Sequence, residues 1–219
     1  VKGGDIIAED LVQLIKLRNE FAKTQGYENF FDYQLKEEYD VDADYLTHLL
    51  HEVYENAKEI NKKLQQETKE ELAQEYGIKT SDLKAYHYGL LLDTNPAKEI
   101  NANLKTKEQV VDISIQAYKN MGFDIENMNI TLDLFPRKNK NTHGFCFEIE
   151  AGKDSRILAN LTNNTLSLDT LCHELGHCVY NLGIDTALPY LDKGTTPAMT
   201  EAIAMMMGDL AQRENILKD

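Results

Sequence analysis

The chain has 219 residues, of which 42% are hydrophobic, and its formal net charge is −14 at pH 7. This length and composition suffice for one substantial core or two small ones and exclude a disordered chain. The negative charge argues against binding to nucleic acid or to an anionic membrane, and no apolar run of about eighteen residues predicts a membrane span.

Helices are predicted for most of the first 121 residues, because apolar residues recur there at helical spacing. Four amphipathic helices are expected, over residues 8–24, 28–38, 42–76 and 107–121. Gly77 follows the third directly, as a C-terminal capping glycine does. The first and third helices should turn their leucine, isoleucine and valine residues inward, at Leu11, Leu14, Ile15, Leu17, Leu46, Leu49, Leu50, Val53, Ile60 and Leu64.

The pattern changes after residue 144. Residues 146–150 alternate apolar and polar side chains, and residues 156–160 follow after a turn at Gly152, which predicts two antiparallel strands. A helix is expected over residues 165–182, with Ser167 or Asp169 as its cap. After a loop over residues 183–195, the dipeptide Thr196-Pro197 predicts the start of the last helix.

The segment from His173 to His177 reads His-Glu-Leu-Gly-His, which is a zinc-peptidase signature. On a helix the two histidines lie about 40° apart around the axis and about 6 Å along it, so both imidazoles can reach one tetrahedral zinc ion. Glu174 then faces the open coordination position, where it can take a proton from water. The pattern therefore predicts a catalytic zinc site with Glu174 as the general base.

A catalytic zinc needs a third protein ligand, and Glu201 near the start of the last helix is the candidate. An antiparallel pair of helices would bring its carboxylate to the two imidazoles. A purely structural zinc site is disfavoured, because such sites close with a fourth protein ligand and the adjacent Cys172 and Cys178 point to other faces of the helix.

Substrate contacts are expected at residues 143–145, where the first strand begins. His143 is the upstream candidate for donating to the oxyanion, and a turn histidine without a ligand role is the alternative. Gly144 would allow close approach of a backbone, and the strand from Phe145 onward could pair with an extended peptide.

The three cysteines, Cys146, Cys172 and Cys178, are an odd set without C-x-x-C spacing. They predict reduced, buried thiols, and with no secretory signal pattern at the start they favour a cytoplasmic protein. The chain begins at Val1 without methionine and stops at Asp219 within a helical pattern, which predicts a fragment of a longer chain.

The chain resembles the angiotensin-converting-enzyme (peptidyl-dipeptidase A) family of zinc metallopeptidases, especially its bacterial relatives. In that family a histidine opens a strand, followed by Gly-Lys-Asp-x-Arg-Ile, the zinc helix and a helix beginning Glu-Ala-Ile. These stand here at His143, residues 152–157, residues 173–177 and residues 201–203. The resemblance implies that His173, His177 and Glu201 bind zinc, that Glu174 is the base, and that His143 with the following backbone contacts the substrate.

Two departures from that family bear on the site. Its better-known members carry an aspartate one turn after the ligand glutamate, to orient a zinc histidine, where this chain has Met205. Their other oxyanion donors and their carboxylate-binding residues lie well beyond the glutamate helix, and this chain stops before them. The resemblance therefore implies the middle of a catalytic domain, with the rest of that domain missing.

The sequence thus predicts a mainly α protein with a small antiparallel β-sheet, zincin-like and helix-walled. Residues 1–219 should form part of one catalytic domain, with a helical region over 1–130 and a strand and zinc-helix region over 131–219. The expected activity is zinc-dependent hydrolysis of short peptides, as a peptidyl-dipeptidase or an oligopeptidase. The alternative is a non-catalytic zinc- or peptide-binding fragment that lacks the downstream oxyanion donors.

Overall fold

The computed structural model describes residues 2–88 and 101–214, so both chain ends, Val1 and Asp219, lie outside the described residues. The chain divides into two compact units, Val1–His87 and Tyr88–Asp219. Within the described residues, no helix is long and apolar enough to span a membrane. The protein is mainly helical with one small sheet, as predicted.

The first unit is built from three helices: α1 (Lys2–Thr24), α2 (Phe30–Tyr39) and α3 (Ala43–Tyr76). A short 3₁₀ turn follows at Thr80–Asp82. Helix α3 ends at Gly77, which has a φ of 65° and donates its N–H to carbonyls of the last turn, so the capping prediction is confirmed.

The prediction of inward-facing residues in α1 and α3 is wrong. Leu11, Leu17, Leu50 and Ile60 are all exposed, as are the other predicted positions except the half-buried Leu46. Hydrophobic periodicity identifies an apolar stripe on a helix but does not identify what covers it. Within this unit α2 packs against both longer helices. Among its residues whose burial the structure describes, the buried apolar ones are Ala22, Leu72 and Ala73.

The second unit contains the elements of the predicted zinc site. Its helices are α4 (Lys107–Asn120), α5 (Thr165–Leu182) and α6 (Pro197–Ala211). Its strands are β1 (Ile130–Asp133), β2 (Phe145–Glu150) and β3 (Asp154–Leu158). Short 3₁₀ turns lie at Ile125–Asn127 and Tyr190–Asp192.

The sheet is mixed rather than antiparallel, with strand order β1-β3-β2. The predicted pair is confirmed, since β2 runs antiparallel to β3 with Phe145 opposite Leu158 and Phe147 opposite Arg156. Strand β1 lies parallel to β3 on its other side and was not predicted, because its four residues are too short to show a period. Among the described strands, β2 is therefore an edge strand.

Helix α5 lies at the centre of the core and packs against α4, α6, β2 and β3. Its buried residues Leu171 and Leu175 meet the buried Tyr118 of α4, Ile157 of β3 and Met207 of α6 within one hydrophobic cluster. Helix α5 is therefore surrounded on its core face by the other elements, and its opposite face carries His173 and His177.

The ends of the two last helices are fixed by side-chain caps. Asn164 caps α5 by accepting a hydrogen bond from the backbone N–H of Ser167, so the predicted caps Ser167 and Asp169 are wrong. Thr196 caps α6 by accepting from the N–H of Met199, with Pro197 in the first turn, which confirms that prediction.

Candidate metal centre

Helix α5 presents His173 and His177 on the same face, one turn apart. Their ring centroids lie 4.9 Å apart and the rings are nearly perpendicular, so both Nε2 atoms point to the same side of the helix. Both side chains are partly exposed, in contrast to the buried Leu171 and Leu175 on the core face. The four-residue spacing therefore gives the geometry predicted from the sequence.

Glu201, the fifth residue of α6, completes the cluster. Its Oε2 lies 3.2 Å from Nε2 of His173 and 3.7 Å from Nε2 of His177. The three ligand atoms lie within 4.8 Å of one another, and among the described residues this is the group that could hold a metal ion.

The close approach of α5 and α6 depends on a glycine in the histidine motif. A Cβ on Gly176 would lie 2.9 Å from Cα of Ala204 and 3.0 Å from Cβ of Met207. Because both neighbours belong to the α6 core face, a side chain there would push the helices apart. Gly176 therefore sets the distance across which Glu201 reaches the histidines.

The cluster fits zinc. With Zn–N and Zn–O bonds of about 2.0–2.1 Å, ligand atoms of a tetrahedral site lie about 3.4 Å apart, close to the two observed separations. Two imidazoles and one carboxylate are a donor set typical of catalytic zinc, and three protein ligands leave a fourth position open. The side chain of Glu201 is 57% exposed, so the cluster is open to solvent on this side.

Glu174 lies on α5 directly after His173, lines the same cavity as the cluster and is only 8% exposed. Burial raises the pKa of its carboxyl above the ordinary glutamate value; His173 opposes that shift and Glu201 adds to it. The carboxylate also accepts a hydrogen bond from the backbone N–H of Cys146, which lowers its pKa in part. A buried carboxyl held in this way suits a group that accepts and then releases a proton.

The pKa of His177 is shifted in the direction that favours the neutral imidazole. Burial lowers its pKa below the ordinary histidine value, and the neighbouring His173 lowers it further, while Glu201 acts in the opposite direction. A neutral imidazole keeps a lone pair for the metal, so protons compete less strongly for this ligand.

A cavity of about 410 Å³ lies over the cluster. It is lined by the ligand residues, by Glu174, by strand β2 and by two neighbouring polar residues: Gly144, Phe145, Cys146, Phe147, Glu148, His173, Glu174, His177, Asn181, Thr200 and Glu201. Edge strand β2 thus forms one wall of the cavity and the zinc helix forms the other.

The predicted substrate residues are distributed differently around this cavity. Gly144 and Phe145 line it, whereas His143 is exposed and its ring lies 6.3 Å from that of Phe145, centroid to centroid. The backbone N–H of His143 donates to Oδ1 of Asn141. A Cβ on Gly144 would lie 2.8 Å from Cγ2 of Thr170 and 3.3 Å from Oε1 of Glu174, so this glycine allows the strand to approach α5.

Several residues of the cavity were not predicted. Asn181 continues the four-residue spacing of His173 and His177 along the same face of α5, a signal present in the sequence. Cys146 and Glu148 are two residues apart on β2 and therefore share one face of the strand. The sequence alone does not show that this strand borders the cavity. Thr200 precedes Glu201 on α6, and only the placement of this helix in the structure shows that Thr200 lines the cavity.

The position on α6 at which the resembled family has an orienting aspartate is Met205 in this chain. Met205 is 64% exposed, and Asp209, a turn further along, pairs with Arg213 at 2.7 Å. On the other side of α5, the buried hydroxyl of Tyr118 donates to the carbonyl of Cys172, the residue before His173. The backbone at the first zinc histidine is therefore anchored from the core.

The fold and this site define a zinc metallopeptidase in which the His-Glu-x-x-His helix is followed by a glutamate-bearing helix. Residues 7–219 match the profile of peptidase family M3, and the chain belongs to that family. The expected class of zinc metallopeptidase is therefore supported, although the matched family is not the angiotensin-converting-enzyme family that the motifs resemble. A comparison with curated proteins found no match.

Proposed function

We propose that this protein is a zinc-dependent peptidase that hydrolyses peptide bonds of short peptides, with His173, His177 and Glu201 as zinc ligands and Glu174 as general base. The observation that carries the proposal is the convergence of three ligand atoms within 4.8 Å of one another, with the Glu201 carboxylate 3.2 and 3.7 Å from the two imidazoles, beside a buried glutamate. Membership of peptidase family M3, whose members are zinc-dependent and act on peptides, supports the same chemistry.

Zinc, when bound, supplies Lewis acidity that acidifies water and polarises a peptide carbonyl. Glu174 takes a proton from the attacking water and then delivers it to the leaving amine. Its raised pKa places this carboxyl nearer to neutrality than an exposed glutamate, which favours both transfers. The carboxylate lies at the wall of the cavity, where it would face this water.

The edge of strand β2 is the surface on which an extended peptide would lie. Main-chain hydrogen bonds to such an edge give affinity without a requirement for particular side chains. The cavity wall formed by Gly144 to Glu148 is long enough for a few residues on either side of the scissile bond. His143, next to this wall, is the proposed additional contact to the substrate.

Zinc content is the measurement that tests the site. Metal-depleted protein, reconstituted and freed of excess zinc, should hold one zinc per chain. His177→Ala and Glu201→Ala should each weaken binding strongly. His48→Ala and Glu126→Ala, at exposed positions outside the cluster, are the matched controls and should keep one zinc. Zinc that is absent, or indifferent to Glu201, would overturn the assignment of ligands.

Hydrolysis of internally quenched peptides tests the chemistry, with free and amidated C-termini to separate removal of dipeptides from internal cleavage. Loss of cleavage on amidation would favour the peptidyl-dipeptidase type, and cleavage of both would favour the oligopeptidase type. One zinc per chain with no hydrolysis of any peptide would instead favour the non-catalytic binding fragment. The intact Glu174 beside the ligands argues against that outcome.

A further inference from the structure

Two cysteines from different elements meet beside the metal cluster. Cys146 lies on β2 and Cys178 on α5, and their sulfur atoms are 3.3 Å apart. All three cysteines of the chain are free thiols in this structure. The third, Cys172, is fully buried elsewhere in the core, with its sulfur 3.6 Å from Oγ of Ser114. One pair of thiols is therefore in contact and one thiol stands apart from it.

The two members of the pair differ in access. Cys146 is half-buried and lines the cavity, which is the route by which a small oxidant would reach it. Cys178 is fully buried behind it. Polar groups surround Cys146, since Nδ2 of Asn181 and Oγ of Ser155 both lie 3.7 Å from its sulfur. An accessible thiol backed by a second thiol is the arrangement found in reversible redox sites.

We infer that Cys146 and Cys178 form a reversible oxidation site, which closes to an intramolecular disulfide on reaction with a peroxide. The Cys146 thiol reacts with one hydrogen peroxide to give a sulfenic acid and water. The Cys178 thiol then attacks that sulfur, and the S–S bond forms with release of a second water. Two thiols are thus oxidised and one peroxide is reduced; a dithiol reductant reverses the change.

The geometry requires little movement. A disulfide has its sulfurs about 2.0 Å apart, so the pair must approach by about 1.3 Å from its observed contact. Side-chain rotation and a small shift of the edge strand can supply this distance. Cys172 has no comparable route to either partner, since its sulfur lies against Ser114 of α4.

The disulfide would join strand β2 to helix α5 at positions next to the proposed general base and a proposed metal ligand. Cys146 donates its N–H to Glu174, and Cys178 directly follows the ligand His177. Drawing β2 towards α5 there would displace the general base relative to the metal ligands. Oxidation should therefore lower peptidase activity, a consequence that rests on the proposed function, whereas formation of the disulfide does not.

Thiol counting on zinc-loaded protein is the test. Denatured samples should contain three free thiols before treatment with a small excess of peroxide and one afterwards, with three restored by dithiothreitol. A non-reducing peptide map should link the peptide of Cys146 to that of Cys178. Three thiols retained, a link through Cys172 or between two chains, or a loss that dithiothreitol does not restore would overturn the proposal.

Two single-cysteine variants serve as controls for the assignment of the disulfide to Cys146 and Cys178. Cys172→Ser should lose both of its remaining thiols under the same treatment, whereas Cys146→Ser should keep both of its buried ones. Equal loss of thiols from Cys146→Ser would contradict the assignment. If that variant fails to fold, the peptide maps of the unmodified protein and Cys172→Ser decide alone. If reduced protein cleaves no peptide, the proposed function fails but the thiol counts still test this site.

Discussion

The carboxylate of Glu174 accepts a hydrogen bond from the backbone N–H of Cys146, which joins the zinc helix to the edge strand. The general base of the proposed reaction is therefore positioned by the same strand that would bind the substrate. Since Gly144 also lies against Glu174 and Thr170, the start of β2 and the face of α5 form one packed unit. In the proposed reaction, residues 144–146 would therefore link substrate contact to proton transfer.

Replacement of the general base should separate metal binding from turnover. Glu174→Gln keeps the shape of the side chain and can still bond to the Cys146 N–H through its amide oxygen, so we expect one zinc per chain. The amide cannot accept the proton, and turnover should fall by about 10²–10⁴-fold. Zinc analysis and steady-state kinetics on one preparation measure both effects. Glu150→Gln, on the exposed end of β2, is the control and should change neither.

Closer packing at the glycine of the histidine motif should weaken the metal site without touching a ligand. In Gly176→Ala the new methyl group would lie 2.9 Å from Ala204 and 3.0 Å from Met207, so α6 must move away from α5. We expect a loss of about 1–3 kcal/mol in the free energy of unfolding from overpacking. Zinc affinity should fall by roughly 10–100-fold, since Glu201 moves with α6.

Gly194→Ala is the matched control for that variant, because a Cβ there meets nothing within 4 Å. It should bind zinc like the unmodified protein. Competition with a chromogenic zinc chelator gives the affinities, and denaturant titration gives the stabilities. Unchanged zinc affinity in Gly176→Ala would mean that the spacing of α5 and α6 does not set the position of Glu201.

Removal of the cap on the zinc helix should destabilise the second unit. Asn164 accepts from the N–H of Ser167 at 2.8 Å, and its replacement by alanine leaves that donor without its partner. Loss of such a cap costs about 1 kcal/mol. Denaturant titration of Asn164→Ala should show this loss, while Asp169→Ala should show a smaller one, because Asp169 is not the cap and loses only an exposed hydrogen bond from Gln212. Equal losses would argue against the cap as observed.

The proximity of His173, His177 and Glu201 could be predicted from the sequence because local spacing determines most of it. His173 and His177 lie on one face of any helix that contains them, and the Thr196-Pro197 start fixes the turn in which Glu201 lies. The extent of α4 was also predicted closely, as residues 107–121 against the observed Lys107–Asn120. These features depend on positions within one element, or on a single short connection.

Features that depend on a partner distant in sequence could not be predicted. The apolar stripe of α1 has the same spacing as that of α4, yet Leu14 and Leu17 are exposed. The contact of Cys146 with Cys178 spans 32 residues and requires the register of β2 on β3 as well as the packing of α5. The cap Asn164 was missed because serine, threonine and asparagine occur together in this loop, and only backbone dihedrals distinguish among them.

A buried lysine should stabilise the loop that leads into the substrate strand. Lys140 is 1% exposed, and its Nζ donates to the carbonyls of Asp133 and Phe135 and to Oδ1 of Asp133 at 2.8–2.9 Å. Lys140→Met removes these charged hydrogen bonds, and we expect the free energy of unfolding to fall by about 1.5–3 kcal/mol at pH 7. Lys138→Met, at an exposed position in the same loop, should change it little.

The difference between these two variants should depend on pH in a defined direction. The hydrogen bond from Lys140, followed by that from Arg137, lowers the pKa of the Asp133 carboxyl below its ordinary value of about 3.9. The stabilisation from the ionised carboxylate is therefore fully present above about pH 4 and is lost as the pH falls through the lower, folded-state pKa. Denaturant titrations between pH 7 and pH 3 should show a constant difference that shrinks only below about pH 4. A difference that grows on acidification would mean that Lys140 does not act through Asp133.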